Sequence, residues 1–180
     1  MNKKFTDLDF FIQGVGELKE YLLSNEIYWN LPGFPRLTIG SLLLSRIYLK
    51  KSKLVSDDQV TFQEADTHLD EIKLKWRVAW ENKILNEIGS RFTLWQNYLT
   101  DYLGDPDESV EAYPREVRWR VMLQLLSNEI NGAYKERTIL SILDERLKPN
   151  FIPGNFLWST NLIKAFPQGE YWYLYGRLRD

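Results

Sequence analysis

The chain contains no cysteine, which excludes a disulfide framework, a thiolate metal site and a cysteine nucleophile. It has a single histidine, His68. One imidazole is too few for a carboxylate-bridged di-metal bundle, which needs Glu-x-x-His on two helices; residue 65 here is Ala. No serine sits in a Gly-x-Ser-x-Gly elbow, so a serine–histidine–aspartate triad has no support. Phosphate loops are missing as well. Gly14-Val15-Gly16 lacks the third glycine of a dinucleotide loop, and no Gly-x4-Gly-Lys-[Ser/Thr] run occurs.

Charge of one sign is also lacking. The 23 basic and 25 acidic residues leave a formal net charge of -2, which gives no basic field to hold a nucleic-acid backbone. A nucleic-acid patch would need Lys50, Lys51 and Lys53 to join Lys73 and Lys75. Long hydrophobic runs are absent too: Leu37 to Leu49 is too short to span a bilayer and carries Arg46. After Met1-Asn2-Lys3-Lys4, Asp7 and Asp9 interrupt the apolar run that a signal peptide requires. The expected location is the cytoplasm, with no membrane partner.

What the chain has in quantity is rings. Seven Trp, ten Tyr and nine Phe suit a flat ligand pocket or a partner surface, but most fall on helical stripes and so are expected to fill a core. Hydrophobic residues at 44% and charged ones at 27% are globular values. With 180 residues, a single helical domain over 1–180 is expected.

The organising stretch is Gln63 to Leu103. Ala65, Leu69, Ile72, Trp76, Trp80, Ile84, Ile88, Phe92, Trp95, Leu99 and Tyr102 step by three or four residues, one side of an α-helix. Glu64, Asp70, Lys73, Arg77, Asn82, Asn86, Gln96 and Asp101 fill most of the other side. The stripe keeps its phase across Gly89-Ser90, so the helix over 63–103 is predicted to continue through that pair. It would measure about 60 Å.

A first helix is predicted from Thr6 or Asp7 to near Tyr28, and a second over Arg36 to Lys51, apolar nearly all round. Gly104-Asp105-Pro106 is a stop, and Pro114 suits the first turn of a helix running to Ile130, closed by Asn131-Gly132. A fifth helix spans Tyr134 to Leu147, and a short one is expected around Phe156 to Phe166. The tail Tyr171–Tyr175 fits helix or extended chain equally.

The hexapeptide Leu22–Ile27, LLSNEI, recurs as Leu125–Ile130. Thr38-Ile39, Ser41, Leu43 and Arg46 are matched later, in the same order, by Thr138-Ile139, Ser141, Leu143 and Arg146. The expected fold is therefore all-α: an elongated bundle of about six helices, with the long helix flanked by pseudo-repeated hairpins over 7–51 and 114–148.

The repeat keeps polar residues. Asn25 and Asn128 continue apolar stripes, as do Arg46 and Arg146, so all four are expected to face inward, where each needs a partner. Glu17 stands at the height to meet Arg46. With Glu26 and Glu129 these residues either set helix register, as buried polar groups do, or form a ligand site, the arginines holding an anion or the glutamates a cation. His68 with Glu64 and Glu71 makes an i, i+4, i+7 set on one helix flank, read as a solvated face; no metal and no cofactor is expected.

The function expected from these residues is non-catalytic: a protein-interaction or scaffold module that self-associates along its long helix, with Trp80 and Trp95 as interface residues. The alternative is a small-molecule binder or enzyme whose polar site, Arg46, Arg146, Asn25, Asn128, Glu26 and Glu129, lies between the hairpins.

Overall fold

The computed structural model describes residues 6–130 and 135–179. The start at Met1–Lys4, the Asn131-Gly132 closure and the helix start at Tyr134 lie outside them. The chain is mainly helical, and its contacts gather into two compact units, Met1–Glu87 and Ile88–Asp180.

In the first unit α1 (Asp7–Gly16) begins where a threonine can cap it. Thr6 Oγ1 accepts the Asp9 N–H at 3.1 Å, and the Asp9 carboxylate accepts the Thr6 N–H at 3.0 Å, a reciprocal capping box. The helix does not run on to Tyr28. It turns at Glu17 into α2 (Leu18–Leu23), which ends as the Ser24 hydroxyl donates to the Tyr21 carbonyl at 2.8 Å; serine bonding to nearby backbone competes with the helix ladder there.

The second predicted helix starts three residues late, as α3 (Ile39–Lys51), because Leu37 exchanges two backbone hydrogen bonds with Trp29. Thr38 and Ser41 then form a second capping box. α1 packs on α3 and α4 (Ser56–Lys75), and the Phe11 and Phe62 rings meet at 5.4 Å.

The long stripe is real but divided. α4 starts at Ser56, the helix is interrupted at Trp76 (φ -114, ψ 35), and α5 runs from Arg77 to Gly104. It passes unbroken through Gly89. Nine of the eleven stripe residues are buried, with Ala65 and Trp76 half-buried. No glycine or proline stands near Trp76, so no breaker residue encodes the interruption.

The second unit continues with α6 (Pro106–Ser109), α7 (Tyr113–Glu129) and α8 (Lys135–Leu147). Gly104 and Pro106 stop and restart the chain as expected, and Pro114 occupies the first turn of α7. The helix expected around Phe156–Phe166 is not there. Phe151–Phe156 is instead strand β1, paired antiparallel with β2 (Tyr175–Leu178), and a 3-10 turn over Thr160–Leu162 follows it.

Pro153 lacks a donor for a helical ladder, and its partner Gly176 has φ +156; a Cβ at Gly176 would strike the Ile152 carbonyl. The open tail resolves as a 3-10 turn, Trp172–Leu174, leading into β2. The all-α expectation is corrected accordingly to mainly α with a two-stranded sheet.

The two LLSNEI copies differ in conformation. The first leaves α2 at Ser24, which is extended (φ -83, ψ 168), whereas Leu125–Glu129 are all inside α7. The first copy is followed by the Trp29–Leu37 bridge, whereas residues 131–134, which follow the second, lie outside the described residues. Trp80 and Trp95, expected at an interface, are 1% and 0% exposed. They are core residues, held inward by the same stripe that marked them.

Candidate functional site

Each sequence-derived site residue can be placed within its own unit. Arg46, on α3, turns to α4: its guanidinium donates to Asp66, and to Asp70 at 2.8 Å, while Lys50 pairs with Asp66 at 3.0 Å. The partners are the acids of α4, not Glu17. Burial works to raise the Asp66 carboxyl, but the Arg46 and Lys50 hydrogen bonds outweigh it and hold Asp66 below the ordinary carboxylate range.

A lowered folded pKa means the stabilisation is fully present above 3.8 and is lost as pH falls through the folded value. Asp66→Asn should therefore destabilise at neutral pH, and its gap from wild type in urea titrations should close below pH 3.8. A gap that stays constant down to the acid transition would contradict this.

Asn25 and Asn128 are exposed rather than inward, and Glu26 is exposed too. Asn128 accepts from Gln124 at 3.1 Å and donates to Glu170 at 3.3 Å. Glu129 is half-buried and Arg146 exposed; Arg146 edges a hollow of about 30 Å³, space for one water. The depression lined by Asn25 takes in neither Arg46 nor Glu26, and the hollow beside Arg146 takes in neither Asn128 nor Glu129. His68 lies 3.3 Å from Glu71 on an exposed face, and among the described residues no cluster of three or more His, Asp or Glu converges as a metal site.

The structure buries charges that the stripe left as flank. Lys83, Glu87 and Arg91, four residues apart on α5, are 4%, 0% and 4% exposed. Lys83 donates to the Ser24 and Glu26 carbonyls, both at 2.8 Å, with its ammonium 4.5 Å from the Tyr21 ring centroid. Burial pushes Lys83 down, against the nearby Glu26 charge. The Glu87 carboxylate accepts the Gly40 N–H with both oxygens at 3.1 Å, at the positive end of α3. Arg91 stacks 4.7 Å from the Trp119 ring centroid. Their signal was the spacing: each precedes a stripe residue, Ile84, Ile88 or Phe92, and so widens the buried sector.

In the second unit Arg120, 6% exposed, forms a two-pronged pair with Asp144 at 2.9 and 2.7 Å and lies 4.5 Å from the Tyr173 ring centroid. Tyr113 donates to the Tyr173 carbonyl at 2.7 Å. Burial pushes the Tyr113 and Tyr173 phenols up, and Tyr171 to about 12. These phenols are held neutral, Tyr113 as a donor to the Tyr173 carbonyl and the Tyr173 hydroxyl as an acceptor from Arg120 at 3.4 Å, which suits structure rather than proton transfer.

Two surface features of the first unit bear on association. Over the end of α2 lies a depression of about 500 Å³, with Leu22, Leu23, Ser24 and Asn25 on one wall and Ala79, Asn82, Lys83, Leu85 and Asn86 of α5 on the other. On the outward face of α4 and early α5, Val60, Leu74, Val78 and Leu85 are exposed, Leu74 at 79% and Val78 at 72%. No helix among the described residues is long and apolar enough to cross a membrane. Compared with protein-family models, curated proteins and solved structures, the chain matches none.

Proposed function

We propose that this protein is a non-catalytic interaction module that associates with a second copy of itself through the outward face of α4 and the start of α5. The observation that carries the reading is the pair Leu74 and Val78, large apolar side chains left almost wholly in water. Val60 precedes Leu74 by fourteen residues on α4 and Leu85 follows Val78 by seven on α5, so each pair shares one face of its own helix. In each helix that face points away from buried residues, Leu69 and Ile72 in α4 and Trp80 and Ile84 in α5, and heptad spacing of this kind is what one helix offers another. The lack of cysteine suits a reducing compartment, and we assign the module to the cytoplasm.

Light scattering at micromolar concentration tests the reading. Wild type should show twice the chain mass of 21.4 kDa, and Leu74→Asp/Val78→Asp should return it to the monomer mass with unchanged circular dichroism. Burying each side chain is worth about 1.5–3 kcal/mol, so the pair should weaken association about a hundredfold or more. A wild-type protein at the monomer mass would overturn the proposal.

A further inference from the structure

The depression beside α2 carries an inference of its own: it shares Leu85 with the face proposed to self-associate, but is lined by neither Leu74 nor Val78. Three of its lining residues are asparagines, Asn25, Asn82 and Asn86. All are exposed, and none of their side-chain amides makes a hydrogen bond among the described residues. Each free amide offers one carbonyl acceptor and a two-proton donor. That pairing is the complement of a peptide unit.

Asn82 and Asn86 are one turn apart on α5, about 6 Å along its axis. An extended chain repeats its edge every two residues, about 6.6–6.8 Å, and on one edge every second residue presents both its N–H and its C=O. Two amides at this spacing therefore meet two such residues on one edge of an extended segment, as sheet edges do when they capture a strand.

The rest of the lining selects the occupant. Leu22, Leu23, Ala79 and Leu85 give apolar walls for the alternate side chains. Lys83 is the cation at the site, and its ammonium is already committed to the Ser24 and Glu26 carbonyls, so it is a poor anchor for a carboxylate or phosphate. No aromatic residue lines the depression to stack on a sugar or a base. We propose that this depression binds an extended, uncharged peptide segment of a protein partner, its main chain held by Asn82 and Asn86 and closed over by Asn25.

The test is an NMR titration of the full chain with the capped pentapeptide acetyl-Ala-Leu-Ala-Leu-Ala-amide, reading the side-chain amide signals. Saturable shifts at Asn82 and Asn86 are expected at millimolar peptide. Two further peptides, N-methylated at residues 2 and 4 or at residues 1, 3 and 5, separate the two edges: one should lose about tenfold or more in affinity and the other should bind as the parent. Asn82→Ala/Asn86→Ala should lose binding while keeping its circular dichroism, since exposed alanine favours the helix. The proposal is overturned by an absence of shifts, by equal behaviour of the two methylated peptides, or by wild-type binding in the double variant.

Discussion

Arg120→Met is expected to destabilise the protein by about 3 kcal/mol, the lower end of the cost of stranding one member of a buried ion pair. The lower end applies because the Asp144 side chain keeps 14% of its exposure. Methionine fills much of the arginine's volume, so the loss reports charge rather than a cavity. Asp144 is left without the two charge-assisted bonds at 2.9 and 2.7 Å, and the Tyr173 ring loses the guanidinium 4.5 Å from its centroid. The companion variant Arg120→Met/Asp144→Leu removes both charges and should recover most of the loss, since a buried pair replaced by apolar side chains of similar size is close to neutral. Urea unfolding of the single and double variants measures both. A single variant within about 0.5 kcal/mol of wild type, the range of an ordinary surface substitution, would show that this pair does not hold the second unit together.

The elements visible in the sequence are those whose cause is local. Thr6 caps α1 because its hydroxyl and the Asp9 carboxylate are three residues apart, and Gly104 with Pro106 ends α5 by backbone chemistry alone. The buried stripe of α4 and α5 followed from spacing, as did its continuity through Gly89. The break at Trp76 left no trace because it has no breaker residue. The burial of Lys83, Glu87 and Arg91 was hidden for a different reason: a charge on the flank of a stripe is solvated or buried according to what packs beside it, here the Ser24 and Glu26 carbonyls, the amide of Gly40 and the ring of Trp119. The stripe points Arg46 inward, where it needs a partner, and it is half-buried and paired. Its partners lie on α4 rather than on its own hairpin, a tertiary fact that no pairing rule within one hairpin supplies. LLSNEI shows the same limit from the opposite side, since the same residues leave a helix at the third position in one place and only at the sixth in the other.

Trp95→Ala should be among the costliest single substitutions in the chain, about 3–5 kcal/mol by guanidinium unfolding. The ring is 0% exposed and stacks on Tyr98 at 5.6 Å with an interplanar angle of 27°, so alanine opens a cavity in a rigid aromatic neighbourhood that closes poorly. Trp80→Ala, at 1% exposure, should behave alike. The phenylalanine variants discriminate the cause. Among the described residues both indole N–H groups are buried without a hydrogen-bond partner, and an unsatisfied donor costs about 1–3 kcal/mol. Phenylalanine loses ring area but also removes that donor, so Trp95→Phe and Trp80→Phe should each cost far less than the alanine change. If phenylalanine proved as damaging as alanine, the N–H would have a partner that the fold does not show. The same variants separate core from surface: the phenylalanine forms should leave the light-scattering mass unchanged, whereas Leu74→Asp/Val78→Asp should lower the mass and leave unfolding of the monomer nearly unaltered. Stability is thereby assigned to the buried indoles and association to the exposed Leu74 and Val78, and a mass that followed Trp80 or Trp95 instead of Leu74 and Val78 would reverse that assignment.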